Sequence, residues 1–405
     1  MDSTNKRLMI VYMVTIALIG LATGLSESTF SNYFKDAYHV DAFQRGIIEI
    51  PRETPGVMVF LIISALSFIG DLRLAICAKV LSAIGMIALG LMTPPFAIML
   101  VFLFIHSLGQ HMMLPLSDSI GMSLAKEGSV GSSLGRLNGT RTAFNMIAGI
   151  IVFIGFRTGF FSFTAPIKIN FLIAAGLSLV IVCLLFYMLR LYDNRKARQK
   201  TKLLYRKEYN MYYLLAILFG ARKQIMMVYG PWVLIELLDF KADTMALLAI
   251  AGSAVGMFFI PAVGRWIDRH GTARIMIIEA TAFFFVYIAY GMLSAGLSSG
   301  FLAAAGLPVV IAFVIKMADA MTTQFGMVRA VYMRSIAFSP DEVTQTLSLG
   351  MALDHVLSIA GSILCGWIWT QMGPLYVFVF AAFLAVCNML VALNINRTQN
   401  KTKAA

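Results

Sequence analysis

Of 405 residues, 59 % are hydrophobic and only 13 % charged, about half the charged share of an ordinary soluble domain. So few charges cannot cover a soluble protein of this size, and the surplus apolar surface is expected to face lipid. The net charge of +12 would suit nucleic acid in a soluble chain, but here the basic residues fall in short loops between apolar runs, which excludes that partner and points to orientation in an anionic bilayer.

The first seven residues, Met1 to Arg7, are polar. The apolar run behind them is too long for a signal sequence and lacks a small-residue cleavage site, so it is expected to remain as the first membrane helix. A helix needs roughly 20 apolar residues to cross the hydrocarbon core. Candidate spans lie at roughly 8–31, 44–69, 75–93, 96–119, 140–161, 168–190, 209–236, 243–263, 275–295, 301–327, 344–370 and 374–395. Pro94-Pro95 and Gly373-Pro374 end helices, and Ser298-Ser299-Gly300 marks another loop. The expectation is an all-α membrane protein with twelve transmembrane helices. The four cysteines, Cys77, Cys183, Cys365 and Cys387, all lie in apolar segments without C-x-x-C spacing, so neither disulfides nor zinc are expected.

Lys and Arg placement gives the orientation. The basic stretch from Arg190 to Lys207, with Arg195, Lys196, Arg198, Lys200, Lys202 and Arg206, shares one side by helix count with Lys6, Arg7, Arg73, Arg136, Arg141, Arg265, Arg269, Arg274, Arg329, Arg334, Arg397, Lys401 and Lys403. Lys35, Arg45, Arg157, Lys168 and Lys241 fall on the other, with acids among them. Both termini are therefore expected in the cytoplasm. The chain divides into a six-helix bundle at 1–190, a basic linker at 191–208, a second six-helix bundle at 209–395 and a tail at 396–405.

The loop after the eighth span reads Gly264-Arg265-Trp266-Ile267-Asp268-Arg269-His270-Gly271-Thr272-Ala273-Arg274. It resembles the G-x-x-x-D-R-x-G-x-x-R signature of the major facilitator superfamily. The matching place in the first half is Ser67-Phe68-Ile69-Gly70-Asp71-Leu72-Arg73, with serine where the pattern has glycine and the arginine displaced by one. Gly361 to Phe378, with Gly366-Trp367, Gly373-Pro374 and Tyr376, also looks like a helix 11–12 junction of that family. The resemblance covers the whole chain and implies two six-helix bundles with 6+6 pseudo-symmetry. It further implies a cytoplasmic gate in which Gly264, Asp268, Arg269, Gly271 and Arg274 cross-link helix ends, with Asp71, Arg73, Asp118 and Arg141 as a possible counterpart. The alternative is a pair of ordinary topology-setting loops. No subfamily follows, and the fifth span offers only Ala148-Gly149 where drug/proton antiporters carry a Gly-Pro-rich pattern.

A charge at mid-membrane costs at least about 2.5–3.5 kcal/mol, so it normally faces protein or a wet cavity. The candidates by depth are Glu27, Glu49, Arg52, Glu53, His106, Gln110, His111, Arg222, Lys223, Lys316, Asp319, Asp354 and His355. The third, sixth, ninth and twelfth spans carry none at mid-depth; Lys79 and Glu279 sit nearer the cytoplasmic ends, where they can snorkel. In the superfamily those four helices are peripheral, and the remaining eight line the cavity or the interface between halves. Glu49, Arg52 and Glu53 share a face at i, i+3 and i+4, as do Lys316 and Asp319. Simpler readings stand beside these: Arg52 with Glu53, or Lys316 with Asp319, as static pairs; the histidines as helix contacts; only one of the neighbours Arg222 and Lys223 facing a cavity.

The expected function is a secondary active transporter moving a small polar or anionic organic solute by alternating access, with proton coupling through Glu27, Glu53, Asp319 or Asp354 and solute contacts from Arg52, Arg222 and Lys316. Arg52 at mid-depth in span two is expected to meet Asp354 of span eleven. An exporter or flippase of amphipathic drugs or lipids, or a non-transporting sensor or scaffold, are the alternatives. No enzyme constellation, metal site or cofactor is expected; the expected partners are the bilayer, a solute and a coupling ion such as protons, with the chain a monomer in the cell membrane.

Overall fold

A computed structural model describes residues 3–125, 130–191, 205–338 and 340–404. Among them every regular element is helical. In order these are α1 (Ser3–Glu27), α2 (Phe30–Tyr38), α3 (Ala42–Ile47), α4 (Glu49–Ala65), α5 (Asp71–Leu91), α6 (Phe96–Leu124), α7 (Val130–Arg157) and α8 (Ile169–Leu191). There follow α9 (Asn210–Glu236), α10 (Ala242–His270), α11 (Thr272–Ser298), α12 (Leu307–Thr323), α13 (Val328–Ile336), α14 (Pro340–Met372) and α15 (Pro374–Ala404). Most of the basic linker, including Arg195, Lys196, Arg198, Lys200 and Lys202, lies outside the described residues. The chain is an all-α, twelve-helix membrane protein. Among the described residues ten helices are long and apolar enough by length and composition to cross a bilayer; α4 and α10 complete the set.

Several boundaries differ from the expectation. The first span runs on through α2. The stretch expected as one second span begins as the short helix α3, opened by a capping box in which Asp41 accepts from the Gln44 backbone and Gln44 from the Asp41 backbone. The tenth span passes through a 3-10 turn at Gln324–Met327 into α13, and the expected tail continues α15 as helix.

Two compact units result. One comprises Met1–His39, Pro51–Thr201 and Lys241–Ile250; the other Val40–Ile50, Lys202–Phe240 and Ala251–Ala405. Each unit thus takes in a short segment from the other half of the sequence. In the first unit α1 packs on α7 and α8, and α5 packs on α6 and α8. In the second α9 packs on α14 and α15, and α11 packs on α12 and α15. Counted as membrane spans, each pairing recurs six spans later, the signature of an internal repeat.

The repeat extends to the turns. Gly70 (φ 89°) caps α5 and Gly271 (φ 80°) caps α11, with ψ 150° and 159°. An L-residue with a side chain is strained at such φ. A glycine directly before the next helix is therefore a backbone requirement in both halves. Each unit has its own apolar core. The first is built around Tyr12, Ile16, Leu116 and Leu185. The second is built around Tyr212, Leu215, Met276 and Phe325.

Candidate functional site

The site in the first unit starts with a close helix crossing. A Cβ on Gly109 of α6 would stand 2.2 Å from the Ala78 carbonyl oxygen and 2.7 Å from the Ser82 nitrogen. Only hydrogen at this position lets α5 and α6 approach so far. The approach sets Ser82 of α5 against His106 and Lys79 of α5 against Gln110, which are one turn apart on α6. His106 Nδ1 lies 3.2 Å from the Ser82 carbonyl and 3.0 Å from its hydroxyl. A carbonyl only accepts, so in this contact Nδ1 carries the proton and Nε2 is the nitrogen left to meet another group.

Nε2 faces Glu27 of α1. Glu27 Oε1 is 3.3 Å from it, and Glu27 Oε2 accepts from Arg52 Nη2 of α4 at 3.0 Å. Phe30 lies beneath both partners, 5.7 Å from the Arg52 guanidinium and 5.7 Å from the imidazole. Ser107 donates to the Arg52 carbonyl at 2.5 Å. These groups open onto a cavity of about 340 Å³, also lined by Thr23, Glu53, Gln110, His111, Arg141 and Asn145. The carboxylate is only partly exposed, at 34 %, and the imidazole is buried at 2 %. Glu27 thus bridges a fixed cation and a titratable base at the wall of a polar chamber.

Among the described residues of the second unit, three charge groups hold expected site residues. Lys223 donates to Asp354 at 2.7 Å. Lys316 donates to Asp319 at 2.8 Å. Glu279 of α11 accepts from Arg222 at 3.0 Å and from Arg329 at 2.9 and 3.1 Å. The Phe219 ring is stacked 3.2 Å from the Arg329 guanidinium, and Phe283 lies 4.0 Å from that of Arg222. The neighbours Arg222 and Lys223 do point apart: Arg222 is wholly buried and Lys223 is 25 % exposed.

Arg52 bonds to Glu27 and Asp354 to Lys223, each within its own unit. Sequence fixes depth, but the partner depends on rotation, about 100° per residue. Glu49 turns instead to Arg45, 2.5 Å away, and accepts from Gln224 at 2.8 Å. Lys79 and Glu279 do not snorkel; both are wholly buried in protein. A signal for the first was present in the small residues Ala75, Ala78, Ser82 and Gly85, a stripe that marks close helix packing.

The gate residues are placed as follows. Asp71, Asp118 and Arg141 all lie within electrostatic reach of the Tyr12 hydroxyl, but Asp71 accepts from Ser119 and Arg141 donates to Asn138 at 2.8 Å. Arg73, Asp118, Asp268, Arg269 and Arg274 are exposed, and no ion pair joins any of them among the described residues. Gly264 starts the motif within α10, Gly271 sits at the turn and Arg274 ends it at the start of α11.

Twelve helices in two repeated units, with buried ion pairs and a polar chamber inside, define a polytopic membrane transporter. A profile of the Major Facilitator Superfamily matches residues 12–340, and the chain belongs to that family. No curated protein sequence matches the chain. Among solved structures it is similar to the nucleoside transporter NupG, at TM-score 0.75 and 15 % identity over 96 % of this chain and 98 % of that one. It is also similar to a POT family transporter in complex with 5-aminolevulinic acid, at 0.73 and 15 % over 98 % and 96 %. A D-xylose-proton symporter follows at 0.67 and 14 % over 95 % of each. At these identities the likeness is one of fold.

Proposed function

We propose that the chain is a proton-coupled secondary transporter that moves a small polar or anionic organic solute across the cell membrane by alternating access. The observation that carries this reading is Glu27, held between Arg52 and His106 at the cavity wall. An anionic or polar group of the solute takes the Arg52 guanidinium, and Glu27 gives up that partner. Its charge is then balanced by a proton on the Glu27–His106 pair, housed at His106 Nε2 or on the carboxylate. When the solute leaves, Arg52 returns to Glu27 and the proton is released. Solute and proton are thereby exclusive with the empty, ion-paired site, which is the condition for coupling. Asp354 with Lys223 and Asp319 with Lys316 are the corresponding pairs of the second unit, and Asp268 with Arg269 marks the cytoplasmic gate.

The test is uptake into proteoliposomes under an imposed inward proton gradient, screened over radiolabelled polar metabolites. One pH unit is worth 1.36 kcal/mol per proton, so one proton per solute drives up to about tenfold accumulation. Glu27→Gln is expected to keep solute exchange at equal concentrations while losing accumulation. Undiminished accumulation by that variant would remove Glu27 from the coupling step. The dense cavity charge disfavours the exporter of amphipathic molecules.

A further inference from the structure

Lys79 is an ammonium on α5 with no exposure to solvent or lipid. An isolated buried charge of this kind is costly to keep and marks a functional position in a membrane helix. The second unit offers the comparison. Lys79 lies nine residues after Gly70, and Glu279 eight residues after Gly271, so the two stand at nearly one depth in repeated helices. Glu279 has two arginines as counter-ions. Lys79 has no ion-pair partner among the described residues; its hydrogen bond is to the Gln110 side-chain oxygen at 3.3 Å. The ionisable side chains that α6 and α8 carry are His106, His111, Asp118, Cys183, Tyr187 and Arg190, and none of them bonds to Lys79.

An ammonium only donates. Gln110 must therefore turn its oxygen to Lys79 and its amide N–H groups toward Thr23, whose hydroxyl accepts at 3.3 Å, and toward the cavity that both residues line. The opposite amide rotamer would set N–H against ammonium. The wall thus gains a fixed donor beside the Arg52 guanidinium. Charge adds to this. Among the lining residues Arg52 and Arg141 offset Glu27 and Glu53, with His106 and His111 beside them, so the ammonium behind Gln110 adds a positive charge that no lining carboxylate is left to match.

We propose that Lys79 is a specificity-determining positioning residue: acting through Gln110, it makes the first-unit cavity select solutes that carry an anionic oxygen group, a carboxylate or phosphate, over neutral analogues of the same shape. This deepens the transport reading above and rests on the same cavity.

The test is a thermal-shift titration of the purified full chain with matched probes: nicotinate against nicotinamide, glucuronate against glucose, and uridine monophosphate against uridine. For at least one pair, the wild type is expected to bind the anionic member about tenfold more tightly, the worth of one charge-assisted hydrogen bond. Lys79→Met should bring that ratio close to one while the neutral member binds as before, and Gln110→Met, which alters the wall itself, should likewise bring the ratio close to one. Gln110→Glu, which keeps Lys79 paired but turns an acceptor to the cavity, should reverse the preference. A wild type that binds neutral members equally well, or a Lys79→Met protein that keeps the anionic preference, overturns the assignment of Lys79 and leaves the transport reading intact. Failure of every probe, anionic and neutral, to bind would count against both.

Discussion

Glu279→Gln is the sharpest test of how the second unit is held together. The side chain keeps its shape and can still accept one bond, but the carboxylate to which both Arg222 and Arg329 donate is gone. Both guanidiniums are buried, at 0 % and 7 % exposure, so neither can turn to water. Glu279 accepts three charge-assisted hydrogen bonds. At the lower end of about 1.5 kcal/mol each these sum to roughly 4–5 kcal/mol, which agrees with the 3–5 kcal/mol typical of breaking a buried pair from one side. At roughly 2–4 °C per kcal/mol for a unit of this size, the expected loss in melting temperature is on the order of 10 °C. The assay is a tryptophan-fluorescence melt in detergent. Replacing all three charges together (Glu279→Leu, Arg222→Met, Arg329→Met) removes the orphaned cations and should recover most of the loss. A melting point within about 2 °C of wild type for Glu279→Gln alone would show that the triad contributes little and that the buried arginines are satisfied in another way.

Three further outcomes are expected. Double-mutant cycles on melting temperature should show coupling of about 1 kcal/mol or more for Glu27 with Arg52 and for Lys223 with Asp354; additive losses would dissolve either pair. Gly271→Ala and Gly70→Ala should each cost about 1–2 kcal/mol, because both positions demand positive φ; a loss at one and not the other would break the correspondence of the two turns. A reporter fused after Ala405 should respond only in the cytoplasm, and protease should reach the segment from Arg190 to Lys207 only from inside; an external reporter signal would refute the orientation drawn from Lys and Arg placement.

The number of spans and the division into halves were legible because each apolar run has the length a bilayer demands, and because a short loop bearing Gly, Asp and Arg recurs after the second and eighth spans. Membrane depth was legible too, and it brought Glu27, Arg52, His106 and Gln110 into one short set of candidates that the structure gathers around a single cavity. Partner choice was not legible. Arg52 has a neighbour in sequence, Glu53, and a depth match in Asp354, and neither signals the bond to Glu27 of another helix, since only the packing of helices settles which faces meet. The start of α3 was visible in principle, since Asp41 and Gln44 have the spacing of a capping box; the break between α3 and α4 was not, because the apolar run across it reads as one helix. The buried state of Glu279 depends on residues of other helices and leaves no trace in its own, whereas that of Lys79 is marked only by the small residues on its helix.

The short stretch Val40–Ile50 carries a consequence for dissection of the protein. It belongs by sequence to the first half and by packing to the second unit, where Gly46 lies against the Ser362 carbonyl and Gly366 against that of Ala42. Arg45 and Glu49, almost fully inaccessible, complete that unit together with Gln224. A gene cut at the linker therefore does not yield two self-contained products. The downstream fragment would lack a plug, and the upstream one would carry an ionic strand with no socket. Co-expressed fragments should reassemble through this insertion, and a downstream fragment lengthened by a grafted copy of residues 40–50 should hold its fold better than one made by cutting at the linker.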